Sequence, residues 1–199
     1  MSVKIKGAPL QYANALRRIC LNGVPVFAID TVDVIDNSSV MSDEGVAHRL
    51  GLIPLKTDLK RFAEPSKCSC KSKSGCSNCR VMLVIDSGET DVTRTIYSSE
   101  LSSEDDTVKA VSDKIPIVQL APGQKIKVEA YARLGRGSDH AKWNSANVSV
   151  LTHTDKPEEY VLTLETTGAL SPEQILLAGV DELESRLQEF KQIISELKA

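Results

Sequence analysis

The chain has 199 residues, enough for one or two domains with a real core. It is 41% hydrophobic and 26% charged, with only 4% aromatics, so its core must be built from Val, Ile, Leu and Ala. A net charge of −3 and a pI near 5.7 argue against broad electrostatic capture of nucleic acid, which needs a strongly basic face.

No stretch approaches the roughly 20 apolar residues of a membrane span. Met1-Ser2-Val3-Lys4-Ile5-Lys6 has no apolar run of the secretory kind, so the chain reads as cytoplasmic. Residues 3–6 read as the end of a short strand. Pro9 then opens a helix over about residues 10–21, which Asn22-Gly23 and Pro25 stop. Its apolar residues Leu10, Ala13, Leu16, Ile19 and Cys20, with Tyr12 and Ala15, cover more than one stripe. That fits an internal core helix or a helix shared with a partner; taken alone, the stretch favours the first.

Residues 26–34 alternate as a strand rich in β-branched types. Ser42 is the expected N-cap of a short helix through Leu50, with Asp43 and Glu44 in its first turn and Gly51 and Pro54 ending it. Between residues 56 and 80 the composition shifts to Ser, Lys and Cys, which marks a loop. Strands are expected at 81–86 and 92–97, and residues 98–113 read as a polar, mobile surface loop. Residues 125–134 form the cleanest strand: Ile126, Val128, Ala130, Ala132 and Leu134 face one way, Lys125, Lys127, Glu129 and Arg133 the other. Two further strands are expected near 147–151 and 160–166. There is no internal repeat.

The final segment carries the strongest pattern. Ser171-Pro172-Glu173-Gln174 combines an N-cap serine, a first-turn proline and a capping-box glutamine. Beyond it Leu176, Val180, Leu183, Leu187, Phe190, Ile194 and Leu197 repeat every 3.5 residues on average. A helix of about 26 residues spans roughly 39 Å, long against the radius of gyration of about 16 Å expected for a chain of this size. Either the helix packs wholly on its own sheet or its stripe faces a partner. The second reading is preferred, because each large apolar side chain left wet forfeits about 1.5–3 kcal/mol.

Cys68-Ser69-Cys70 and Cys76-Ser77-Asn78-Cys79 place four thiols in a twelve-residue stretch. In a cytosolic chain such a set points to a closed tetrahedral site, for which zinc is the default ion and a structural role follows. Lys67, Lys71, Lys73 and Arg80 would soften the charge of a tetrathiolate, and Gly75 and the serines supply tight turns. An iron–sulfur cluster, two disulfides or free thiols are the alternatives, the cluster being disfavoured by its usual spacings. Cys20, distant in sequence, reads as core.

Nothing points to catalysis. His48, His140 and His153 form no metal or triad motif, and no phosphate-binding or nucleophile-elbow signature occurs. Gly135-Arg136-Gly137-Ser138-Asp139-His140-Ala141-Lys142-Trp143 could hold a phosphate, make an ordinary turn, or form a docking surface anchored by Trp143.

Several blocks resemble one family. Residues 10–25 (LQYANALRRICLNGVP) with Ala28-Ile29-Asp30, residues 47–55 (AHRLGLIPL), Ile115-Pro116-Ile117, Ala132-Arg133-Leu134-Gly135-Arg136-Gly137 and His140-Ala141-Lys142-Trp143 are similar to the alpha-like, D-type subunits of archaeal DNA-directed RNA polymerase. Eukaryotic third-largest-type subunits share them, as does, more distantly, the bacterial alpha subunit. The resemblance implies an α+β fold. A split dimerisation domain (1–24 and 152–199), with two packed helices on a small sheet, would hold an inserted, mostly β domain (25–151) carrying the cysteine loop. It implies a non-catalytic assembly subunit of DNA-dependent RNA polymerase that pairs with the small subunit L and docks on the large subunits. The implied partner surface is Leu10, Ala13, Leu16, Leu176, Val180, Leu183, Leu187, Phe190, Ile194 and Leu197. Docking on a large subunit would involve Asn14, Arg17, Arg18, Arg136, His140, Lys142 and Trp143. Eukaryotic relatives carry a four-cysteine zinc loop where Cys68, Cys70, Cys76 and Cys79 stand.

Two departures accompany the resemblance. Many archaeal members carry a ferredoxin-like insertion with an iron–sulfur cluster after the Trp143 region, but here sixteen cysteine-free residues separate Trp143 from Tyr160. The N-terminus also lacks the family's upstream strand. A zinc-knuckle nucleic-acid-binding module is the alternative function, and an independent phosphate-handling enzyme a third.

Overall fold

The structure, a computed structural model, describes residues 1–72 and 74–197. In chain order its elements are β1 (Ser2–Lys6), α1 (Leu10–Asn22), β2 (Val26–Asn37), α2 (Asp43–Gly51), β3 (Arg80–Asp86), β4 (Arg94–Tyr97), β5 (Ser102–Ser103), β6 (Pro116–Leu120), β7 (Ile126–Gly135), β8 (Ala146–His153), β9 (Glu159–Thr166) and α3 (Pro172–Glu196). The fold is α+β, and the chain divides into two compact units, Val26–Gly135 and the two segments flanking it. The second boundary lies at 135/136, ahead of the expected 151/152, because β8 pairs with β9 in the sheet of the flanking unit.

In that flanking unit an antiparallel sheet of order β1-β9-β8 carries α1, and α1 in turn packs on α3. β9 shows the period of two that a half-buried strand requires: Tyr160, Leu162 and Leu164 are buried, Val161 and Thr163 only partly so. α3 begins as its sequence predicts. Ser171 Oγ accepts from the Gln174 amide at 3.2 Å, and the Gln174 side chain accepts from the Ser171 amide at 2.8 Å. Cys20 is fully buried.

The central unit has an antiparallel sheet of order β2-β7-β3-β5, a separate β4-β6 pair, and α2 against β2 and β6. The five apolar positions of β7 are all buried, as their alternation predicts. β2 buries its first four residues, so both its faces are covered there, and then alternates; its register with β7 is irregular between Ile29 and Thr31 and between Val34 and Asp36. Ser42 caps α2 through the Gly45 amide at 3.2 Å.

Residues 98–113 are not the mobile loop expected from their polarity. They contain β5 and bury Ser98, Leu101 and Val108. Ser98 Oγ donates to the Ser112 carbonyl at 2.5 Å and accepts from the Ile115 amide at 3.1 Å. The two apolar anchors and the bridging hydroxyl act with backbone bonds to the rest of the unit, Lys56 to Lys109, Val111 to Pro54 and Glu104 to Met82, to order a segment that composition alone assigns to solvent. β6, opened by Pro116 at the rim of a two-stranded pair, is likewise not signalled by periodicity.

Candidate functional sites

The Gly135-to-Trp143 motif has a structural task, which is to finish α1. A helix leaves its last four carbonyls without intrahelical partners. Here Ser145 Oγ donates to the Cys20 carbonyl at 2.8 Å and the Ser145 amide to Leu21 at 3.2 Å. The Ser138 amide donates to Asn22 at 3.2 Å, and Arg136 Nη1 to Gly23 at 2.6 Å. All four C-terminal carbonyls are thus served by residues 136–145. Gly137 must be glycine, since a Cβ would overlap Asn144 Oδ1 and come within 2.8 Å of Asn22 Cβ.

This accounting revises the expected docking set. Arg136 is committed to Gly23 and to Glu182 of α3, with only 15% of its side chain exposed. Trp143 is buried, with the Lys142 ammonium 4.2 Å above its ring and His140 edge-on to it, so it is not an exposed anchor. His140 accepts from the Lys142 amide through Nδ1 at 3.0 Å and caps a short turn. The same occupancy removes the motif from phosphate binding, since its arginine and its Ser138 amide already serve carbonyls.

Asn14 and Arg17 do come together. Arg17 Nε donates to Asn14 Oδ1 at 2.8 Å, and Ser149 Oγ on β8 donates to the Arg17 carbonyl at 2.8 Å. With Leu10, Val150, Leu151 and His153 they line an open groove of about 390 Å³ between α1 and β8. Arg18 is exposed.

The apolar stripe of α3 changes character along its length. Within it Leu176 and Leu183 are partly buried and Val180 is 47% exposed, while the fully buried Ile175 and Gly179 lie beside the stripe. From Leu187 onward every described residue is exposed, including Leu187 at 50%, Phe190 at 61% and Leu197 at 82%. On α1, Leu10 is exposed, but Ala13 is buried within the chain, so it is not open to a partner as expected. Leu16 is turned toward α3: a Cβ on Gly179 would lie 3.4 Å from Leu16 Cδ1 and 3.0 Å from Cys20 Sγ. Gly179 escapes sequence reasoning because a glycine in a helical stripe reads as a weak helix residue, not as a crossing point.

The four cysteines converge. Sγ atoms of Cys68 and Cys76 are 3.7 Å apart, those of Cys70 and Cys79 and of Cys76 and Cys79 both 3.9 Å, and all four lie within 4.8 Å of one another. Zinc–sulfur bonds of about 2.3 Å in a tetrahedron set sulfurs roughly 3.8 Å apart, so the donor set fits a closed four-sulfur site. The turn is built by Cys79 and Arg80 amides donating to the Cys76 carbonyl at 2.9 and 2.8 Å, with Gly75 at φ +78°. Its base is tied down by the Ala63 amide on the Asn78 carbonyl and by Phe62 edge-on against Phe27. The Ser72 amide, with the neighbouring thiols, draws the Cys70 thiol down to about 7, while burial pushes Cys79 up to about 12. Of the flanking bases, Lys67 pairs with Glu64 and Arg80 stacks 4.3 Å over Tyr131; Lys71 is exposed, and Lys73 lies outside the described residues.

A profile of the RNA polymerase Rpb3/RpoA insert domain matches residues 31–155. The protein named DNA-directed RNA polymerase subunit Rpo3 of Methanosphaera stadtmanae is 40% identical over 184 residues, covering 90% of this chain and 67% of that one. The Rpo3 of Pyrobaculum aerophilum is 45% identical over 147 residues (73% and 55%), and that of Pyrococcus furiosus 43% over 139 (70% and 49%). The chain thus spans from about half to two thirds of the length of these relatives. Among the described residues no helix is long and apolar enough to cross a membrane. The matched profile covers more than half of the chain, and the chain belongs to the RNA polymerase Rpb3/RpoA family.

Proposed function

We propose that this chain is a non-catalytic assembly subunit of a cytoplasmic DNA-directed RNA polymerase, pairing through α3 and the outer face of α1 with the small subunit L. The observation that carries this reading is the uncovered half of α3. Leu187, Phe190, Ile194 and Leu197 continue the 3.5-residue stripe beyond the point where the chain covers it. Burying the large side chains of that stripe at about 1.5–3 kcal/mol each is a substantial driving force for association. The Asn14–Arg17 groove beside β8 is the corresponding docking place for a large polymerase subunit. Co-expression with subunit L followed by size-exclusion chromatography tests the pairing. One co-eluting complex is expected for the wild type, and none for Leu187→Asp, which places a carboxylate in the seam without disturbing the chain's own packing. Two separately eluting species from the wild type would sink the proposal.

The cysteine cluster is the site of a structural zinc ion on this reading, supported by its sulfur spacing. A four-sulfur shell leaves no open position for a catalytic water. Elemental analysis of the purified chain is expected to give one zinc per molecule, and a metal-free protein with four titratable thiols would overturn the assignment. Nucleic-acid binding by the knuckle has little support, since Lys67 and Arg80 are engaged within the chain.

A further inference from the structure

Arg136 joins two helices of one unit. Its Nη1 donates to the Gly23 carbonyl at 2.6 Å, at the negative end of α1, and also pairs with Glu182 Oε1 on α3. Glu182 in turn accepts from Arg186 Nε at 2.8 Å. The Arg136 and Glu182 side chains are each only 15% exposed, so the contact is shielded in a way surface ion pairs are not. The arginine is itself held in place, because Gly137 sits against Asn22 and the Ser138 amide donates to the Asn22 carbonyl.

The place of this contact along α3 gives it meaning. Before Glu182 the helix buries Ile175 and Gly179; after Leu183 it leaves its own unit's cover, and from Leu187 every described residue is exposed. The polar side-chain contacts of described residues beyond Glu182 stay within α3, as in Ser185 to Glu189, Gln188 to Glu184 and Gln192 to Glu196. Glu182 is therefore where the free half of the helix is tied to the end of α1.

We propose that Arg136 is a positioning residue for partner capture: by bridging the Gly23 carbonyl and Glu182 it fixes the direction in which the exposed half of α3 leaves the sheet. The partner-capture part rests on the reading of α3 as the pairing surface. A helix already held at its bound angle loses less freedom on association than one that swings, so the lock raises affinity without touching the partner. A planar guanidinium can serve a carbonyl and a carboxylate together, whereas a lysine ammonium is a single compact donor site.

The test uses the full chain, with spin labels on the exposed Gln11 of α1 and Gln188 of α3, in wild type, Arg136→Met and Glu182→Gln. Arg136→Met keeps the aliphatic stem, and Glu182→Gln is nearly isosteric, so both retain the fold. A narrow label–label distribution is expected in the wild type and a broadened one in both variants, with affinity for purified subunit L weakened about tenfold. Arg136→Lys is expected to fall between. Distributions as narrow in both variants as in the wild type overturn the lock. Broadened distributions with unchanged affinity overturn its role in capture. A wild type that does not bind subunit L removes the heterodimer reading instead, and the label distances then still decide the lock.

Discussion

At the scale of single residues, the contact between α1 and α3 depends on a missing side chain. Gly179 is buried, and any Cβ there meets Cys20 Sγ at 3.0 Å. Gly179→Val is therefore expected to cost about 1–3 kcal/mol despite the better helix propensity of valine, read as a lowered midpoint in urea. Glu182 gives a second prediction with a defined sign. Partial burial pushes its carboxyl up, but the Arg136 and Arg186 guanidiniums outweigh that and hold it below the ordinary carboxylate range. A group whose folded value is depressed contributes stability that is present above its unfolded value, about 4.3, and lost as pH falls through the folded one. The wild type's advantage in thermal midpoint over Glu182→Gln is accordingly expected to be full at pH 7 and to shrink as pH falls below the unfolded value. An advantage that does not change with pH would mean the ion pair contributes nothing.

At the scale of elements, the parts legible in the sequence are those whose cause is local. The capping box at Ser171, the serine cap of α2 and the alternation of β7 all depend on residues a few positions apart, and each stands as read. Ser171→Ala should lower stability by about 1 kcal/mol, with the loss confined to the first turn of α3 by amide exchange. What is not legible depends on distant partners. The polar segment 98–113 is ordered because Leu101 and Val108 find a core assembled from other strands. The motif at residues 135–143 reads as a surface because its glycines, arginine and tryptophan suit ligand binding. Its actual task is set by two of the carbonyls ending α1, those of Asn22 and Gly23, more than a hundred residues earlier. The cysteine cluster is readable as a set of ligands from spacing alone, while the burial of Cys68 and Cys79 beneath two half-exposed partners is not.

At the scale of the whole molecule, the two proposed sites fall in different units. The cysteine loop belongs to the central unit and the apolar stripe to the flanking one. If the proposed zinc site is real, Cys76→Ser is expected to abolish zinc content and lower the thermal midpoint, while leaving association with subunit L intact. Loss of pairing in that variant would show that the units do not act separately. The α1 cap and the Arg136 bridge lie wholly in the flanking unit, so the proposed pairing surface draws neither contact from the central unit.

The route by which the chain enters and leaves its central unit extends that independence. Val26 and Gly135 are register partners on neighbouring antiparallel strands, so the detour starts and finishes one strand spacing apart, about 5 Å. A gap that small is spanned by a tight turn. A central module joined in this way can be exchanged, enlarged or shortened without moving its two points of attachment apart, in the way a plug-in cartridge leaves its socket unaltered.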